Sequence, residues 1–273
     1  MEPTYEVFAL RYATSIGRTR RDNFLQADAH DAPMPMDYFV WAIRGGGRTV
    51  VVDTGFNHAT AERRGRAILR DPGDALRAIG IDPATVTDVV LTHLHYDHAG
   101  NLDLFPAATF HIQDSEVSYA TGRSMCHACL SFPFEVEDVV ALIRRVYAGR
   151  VRFHDGAATP WPGISLHAVG GHTAGLQVVR VHTARGWLLL GSDAFHYTEN
   201  RVRRMPFPLV LDVGRMLEGY LVCEALGDGE DMLIPGHDPE VLRRWPAVPG
   251  VPDAVRLDLA PVRPALAEAP APA

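Results

Sequence analysis

Apolar residues along this chain come in short runs, each bounded by glycine, proline or aspartate. Residues 5–13 and 37–44 are rich in Val, Phe, Tyr and Trp and predict strands. Gly45-Gly46-Gly47 reads as a turn, after which Arg48-Thr49-Val50-Val51-Val52 returns as a strand that Asp53-Thr54-Gly55 ends. Helical spacing follows over about 57–70 and 72–79, the second helix opening with Asp71-Pro72. Residues 87–92 and 107–112 predict buried strands, and 113–147 predicts helix with an irregular middle from Gly122 to Pro133. Strands recur near 150–154, 164–169, 176–183 and 187–192, and Ala184-Arg185-Gly186 turns the last two into a hairpin. An amphipathic helix over 212–226, a strand over 231–234 and a short helix over 238–244 complete the pattern.

The strands come in two batches, each followed by helices. That order predicts an α/β fold with two sheets packed face to face and helices outside, a four-layer αββα sandwich. Residues 1–258 read as one domain, and the Pro/Ala-rich stretch 259–273 as a disordered tail.

Composition narrows the partners. With 273 residues, 47% of them hydrophobic, the chain has material for a large core. Its net charge of −7 argues against nucleic acid, which needs a basic face. All 26 basic residues are arginine, which excludes Schiff-base or nucleophilic lysine chemistry. Three cysteines make no disulfide framework, although Cys126 and Cys129 form a Cys-x-x-Cys pair. Met1 to Glu6 show no basic and apolar leader, and no apolar run reaches the ~20 residues of a membrane span. The expectation is a cytoplasmic protein with no membrane partner.

Chemistry concentrates in His93-Leu94-His95-Tyr96-Asp97-His98, directly after the apolar run Asp88–Thr92. Imidazole and carboxylate suit zinc and other borderline first-row ions. His93 and His95, two apart, can face one ion, while Asp97 and His98 suit a second. Three further ligand types stand at predicted strand ends beside small residues: His172 after Gly170-Gly171, Asp193 in Gly-Ser-Asp-Ala, and His237 after Pro235-Gly236. Carboxyl ends of strands are where open α/β architectures usually place their chemistry.

These residues resemble those of the metallo-β-lactamase-fold hydrolases over roughly 35–245, with HLHYDH standing for the family's H-x-H-x-D-H. The resemblance implies that His93, His95 and His172 hold one zinc and that Asp97, His98 and His237 hold the other. It implies that Asp193 bridges both ions and that Asp53 braces the metal loop; manganese, iron or cobalt would also suit these donors. Within the family, THLHYDHAGN, the Asp-Ala at 193–194, Pro206-Phe207 and Gly-His-Asp at 236–238 are closest to the N-acyl-homoserine lactonase group. Many of its members carry tyrosine three residues after the bridging aspartate, where this chain has His196 followed by Tyr197.

The implied function is a binuclear zinc hydrolase that opens a lactone ring by metal-hydroxide attack on its carbonyl, a quorum-quenching activity. Asp97 or Asp193 would move the proton, and His196 or Tyr197 would donate to the oxyanion. A small lactone or ester is the expected partner, and the resemblance also suggests a homodimer. Candidate pocket walls are the apolar loops 22–37 and 122–134. Two alternatives stand beside this reading. One is a thioesterase or carboxylesterase of the glyoxalase II-like type, with Arg201, Arg203 and Arg204 as binding residues. The other is a metal-binding sensor domain without catalysis.

Overall fold

The computed structural model describes residues 2–26 and 31–263. Thirteen strands build two sheets. In chain order they are β1 (Glu6–Ser15), β2 (Met36–Gly45), β3 (Arg48–Val52), β4 (Ala67–Ile68), β5 (Asp88–Val90), β6 (Thr109–Gln113), β7 (Val151–His154), β8 (Ala158–Trp161), β9 (Ile164–Ala168), β10 (Gln177–Thr183), β11 (Gly186–Leu190), β12 (Leu233–Ile234) and β13 (Ala254–Arg256). The larger sheet runs β13-β1-β2-β3-β5-β6-β7, with β4 on β1, and the smaller runs β12-β11-β10-β9-β8. Pairing is parallel from β3 through β7 and between β11 and β12, and antiparallel elsewhere.

The layers follow from alternation along each strand. In β3, Val50 and Val52 enter the core between the sheets, while Val51 enters the core under the helices. In β10, Val179 and Val181 face the other sheet, and Val178 packs in the core beneath the helix Val213–Leu226 with Met216, Tyr220 and Cys223. Strands buried on both faces read as unbroken apolar runs, and for this reason Val50-Val51-Val52 shows no polar alternation. The αββα sandwich is therefore present as expected.

One local expectation is corrected, and two strands were not expected. The helix expected over 57–70 stops at Arg64, because Gly65 adopts the left-handed conformation and caps it; Ala67 and Ile68 then pair with β1. Ala158–Trp161 forms a strand that Pro160 obscures in the sequence. Ala254–Arg256, inside a proline-rich stretch, adds an edge strand to β1. At the start of the stretch from 259, the Leu259 carbonyl accepts from Arg185 and the Val262 N–H donates to the Arg244 carbonyl. Residues 264–273 of that tail lie outside the described residues.

Loops after β3, β5, β9, β11 and β12 bring Asp53, the HLHYDH segment, His172, Asp193 and His237 to one rim of the sandwich. Gln177 joins the two sheets there: its N–H donates to Thr92 O (3.0 Å), and its side-chain amide donates to Leu91 O (2.8 Å).

Candidate metal centre

His93 through His98 leave β5 as a buried loop that runs into the short helix Tyr96–Ala99. Opposite it, Gly170 and Gly171 carry positive φ angles of 64° and 89°. A Cβ on Gly171 would sit 2.5 Å from Met216 Cα, so only glycine lets this loop lie against the helix Val213–Leu226. The loop after β11 is held in tension: Ser192, a non-glycine residue, has φ 44°.

All seven expected ligands converge. The ligand atoms of His93, His95 and His172 form one group and those of Asp97, His98 and His237 another. His172 Nε2 lies 2.9 Å from His95 Nδ1 and 3.2 Å from Asp193 Oδ2. On the other side, His237 Nε2 lies 3.0 Å and His98 Nε2 3.3 Å from Asp193 Oδ1. The two oxygens of Asp193 thus face the two groups separately. Asp97 Oδ2 stands 3.6 Å from His98 Nε2 and 3.7 Å from His237 Nε2.

The far nitrogens show what these near ones carry. His172 Nδ1 donates to Leu209 O (2.7 Å), and His237 Nδ1 donates to Asp37 O (2.8 Å). A carbonyl only accepts, so each Nδ1 holds a proton, and Nε2 is the nitrogen that can turn a lone pair inward to a cation. His98 Nδ1 lies 2.7 Å from the Asp53 carboxylate, which sets the same tautomer. Lone pairs aimed at a carboxylate and at one another repel unless a cation lies between them. His93 Nε2 and His98 Nε2 are moreover buried with no hydrogen-bond partner. These donors fit a pair of divalent metal ions.

Without cations the cluster's electrostatics are divided. Burial and neighbouring imidazoles hold His93 and His95 well below the usual histidine range. Burial also opposes charging His98, but Asp193, Asp97 and Asp53 outweigh it and lift that ring well above its usual value. Burial pushes Asp193 up, yet His237, His98 and His196 together bring its carboxyl well below the usual range. A site that forces some of its histidines neutral and others charged is one that metal cations would relieve.

Asp53 sits where the resemblance implies. It follows β3 directly with φ 62°, and it accepts from Thr92 N (2.7 Å), Thr92 Oγ1 (2.8 Å) and His98 Nδ1. His196 and Tyr197 part company. His196 is buried with Nε2 2.9 Å from Asp193 Oδ2, and its ring lies flat on Phe207, centroids 3.3 Å apart at 6°. It contacts the centre's carboxylate rather than the open side of the site. Tyr197 turns the other way: 2% exposed, it donates its hydroxyl to Pro35 O (3.1 Å) and packs in the helix-side core. The two neighbours thus face opposite ways, and of the pair His196 is the one beside the ligand cluster.

Of the expected wall residues, Phe134 packs edge-on against the His95 ring (4.7 Å), while Phe24 is buried and Phe132 is exposed. Cys126 and Cys129 are exposed free thiols. Arg201, a binding residue in the glyoxalase II-like alternative, is 2% exposed and bound to Glu224 and Glu230. Glu116 escaped the sequence reading. Buried at 0% exposure, it accepts from Leu94 N, Thr173 Oγ1 and Gly175 N. In the sequence it is only an acidic residue in the first turn of the helix Asp114–Ala120, a common position.

An N-acyl homoserine lactonase AttM of Rhizobium radiobacter is 34% identical over 107 residues, 35% of this chain and 40% of that protein. The N-acyl homoserine lactonase AiiB of Agrobacterium fabrum is 31% identical over 134 residues, 46% of this chain and 47% of that protein. The chain thus spans less than half the length of either relative. A solved quorum-quenching N-acyl homoserine lactone lactonase superposes with a TM-score of 0.73 at 20% identity, covering 88% of this chain and 95% of that one. The dizinc quorum-quenching lactonase AidC gives 0.67 at 17% identity over 94% and 95%. Identities this low carry the fold, which is the same αββα sandwich. The profile of the Metallo-beta-lactamase superfamily matches residues 35–244, a span that begins beside β2 and takes in every loop of the metal centre. By that match, and by the histidines and aspartates it encloses, the chain belongs to the metallo-β-lactamase superfamily.

Proposed function

We propose that this chain is a metal-dependent hydrolase that opens lactone rings, with N-acyl homoserine lactones as its substrate class. The observation that carries the reading is the inward convergence of the Nε2 atoms of His172, His98 and His237 on the two oxygens of the buried Asp193. The names of AttM and AiiB supply the substrate class. In this reading His93, His95 and His172 would hold one zinc, Asp97, His98 and His237 would hold the other, and Asp193 stands between the two groups. Such a pair, when bound, lowers the pKa of water toward neutrality and polarises a carbonyl.

The protein's own groups orient and move protons. Asp53 locks the His98 ring, and backbone carbonyls lock those of His172 and His237, so the ligand atoms need not reorganise during turnover. His196 fixes the carboxylate plane of Asp193 from the side. Both Asp193 oxygens are engaged, whereas the Asp97 side chain is more open, at 11% exposure against 4%. Asp97 is therefore the carboxylate that takes the proton of the attacking water and returns it to the leaving alkoxide. In a lactone that alkoxide stays tethered, and the product is a hydroxy acid.

The glyoxalase II-like reading is disfavoured by pairing: Arg201 and Arg204 hold Glu224, and Arg203 holds Glu199. The test is a metal-replete chain offered a homoserine lactone, an aryl ester and a glutathione thioester, with proton release followed. Lactone opening that is lost in His93→Ala and Asp193→Ala is the expected result. A preference for the thioester, or full activity in either variant, would overturn the proposal. Fewer than two ions per chain with no hydrolysis of any ester would point to a metal sensor instead.

A further inference from the structure

We infer that Glu116 is the positioning residue for one half of the centre, fixing the spacing of His93, His95 and His172 while leaving the Asp97–His98–His237 half untouched. The inference rests on the two-metal reading above. Glu116 Oε1 accepts from Leu94 N at 2.9 Å, and Oε2 accepts from Thr173 Oγ1 at 2.6 Å and Gly175 N at 3.0 Å. Two of these donors are backbone N–H groups, and the threonine hydroxyl has a carboxylate oxygen before it. The carboxylate therefore spends its acceptors on two loops that are far apart in sequence.

What those loops carry decides the role. Leu94 stands between His93 and His95, and Thr173 follows His172. One buried carboxylate thus ties the backbone on both sides of the 2.9 Å approach between His95 Nδ1 and His172 Nε2. Gly175 shows that this distance is enforced. A Cβ there would lie 2.2 Å from Glu116 N and 2.6 Å from its Cα, so the loop rests on the backbone of Glu116 itself. The same helix reaches His95 a second way, through Tyr119 on Phe134 (5.7 Å) and Phe134 on the His95 ring (4.7 Å).

The other half has its own brace. Asp53 binds His98 directly and reaches His93 only through Thr92. The centre thus has two buried carboxylates behind its ligands, one for each half. A residue that merely stabilised the fold would affect both halves alike.

The test is Glu116→Gln, whose amide group must face N–H or O–H donors where an oxygen now accepts. Cobalt affinity and content per chain are measured by absorption and elemental analysis, with turnover as a secondary readout. One of two ions should bind 10–100-fold more weakly, the usual effect of losing a group that orients metal ligands. The same change should weaken the remaining ion by that factor in a His237→Ala background and add no loss in a His172→Ala background. Wild-type affinity for both ions, or an equal loss in both backgrounds, overturns the inference. Should Glu116→Gln fail to fold by circular dichroism, Thr173→Val decides. It deletes one of the three hydrogen bonds and should weaken the same ion by a smaller factor; unchanged affinity would overturn the inference. A wild-type chain that binds no cobalt would instead overturn the two-metal reading itself.

Discussion

His196 Nε2 lies 2.9 Å from Oδ2 of Asp193, and a face-to-face stack on Phe207 holds the ring in that position. An imidazole outside the expected ligand set thus aims one nitrogen at the carboxylate joining both halves of the centre. Burial presses this ring down to about 3, so it stays neutral across the working range of a hydrolase.

Replacing it should loosen Asp193 without emptying the site. His196→Ala is expected to lower kcat/KM about 10–100-fold, or ~1.4–2.7 kcal/mol of transition-state stabilisation, with metal content held at two ions per chain. Steady-state kinetics and elemental analysis on one preparation check this. Loss of an ion along with the rate would make His196 a ligand rather than an orienting group.

Tyr197 should behave in the opposite way. Its hydroxyl serves the Pro35 carbonyl in the core, so Tyr197→Phe removes a structural hydrogen bond. About 1 kcal/mol of stability should be lost in denaturant titration, with kcat within two-fold of wild type. A hundred-fold fall in kcat would put this hydroxyl on the substrate.

Chelation should cost stability as well as activity. Each ion present at a hundred times its Kd adds about 2.7 kcal/mol to the folded state. At roughly 2–4 °C per kcal/mol, removing two ions should lower Tm by on the order of 10 °C, and reloading should restore it. Scanning calorimetry of apo and reloaded protein measures the difference; an unchanged Tm would mean the lone pairs need no cation.

Asp138, far from the metals in sequence, supplies a pH signature. Burial and then Glu135 push its carboxyl up to about 7, against the pull of Arg63 and Arg64. Between its unfolded value near 3.8 and about 7, the folded chain holds a proton that the unfolded chain has released. Stability therefore falls as pH rises through that window and levels off above it. At about 1.4 kcal/mol per pH unit the span bounds the loss at ~4 kcal/mol. Asp138→Asn should flatten this part of the profile and gain on the wild type at pH 8, as urea midpoints at pH 5 and 8 would show. A variant that loses stability equally at both values would contradict the assignment.

Much of the centre was legible because its ligands come from local motifs. HLHYDH announces itself in six residues, and His172, Asp193 and His237 each follow a run whose strand character is strong. Asp53 showed locally only as the residue that stops Val50-Val51-Val52, and its place behind His98 came from the family resemblance. Glu116 was not legible, because its three bonds reach 22, 57 and 59 residues along the chain and leave no local trace. The choice between His196 and Tyr197 was equally hidden, since the partners that decide it, Asp193 and Phe207 for one and Pro35 for the other, are set by the tertiary fold. Gly65 ended a helix that apolar spacing alone would have carried to residue 70, and β13 formed where proline content suggested no strand.

The placement of Asp53 has a consequence for the alignment of β3 on β5. Val52 pairs with Val90, and the very next residue, Asp53, donates its N–H to the Val90 carbonyl while its side chain grips Thr92 and His98. A slip of one residue between β3 and β5 would turn Val51 toward the wrong core and carry Asp53 away from His98 in the same step. Strand register and the placement of the carboxylate behind the His98 ring are thus fixed together, so an error in one cannot leave the other intact.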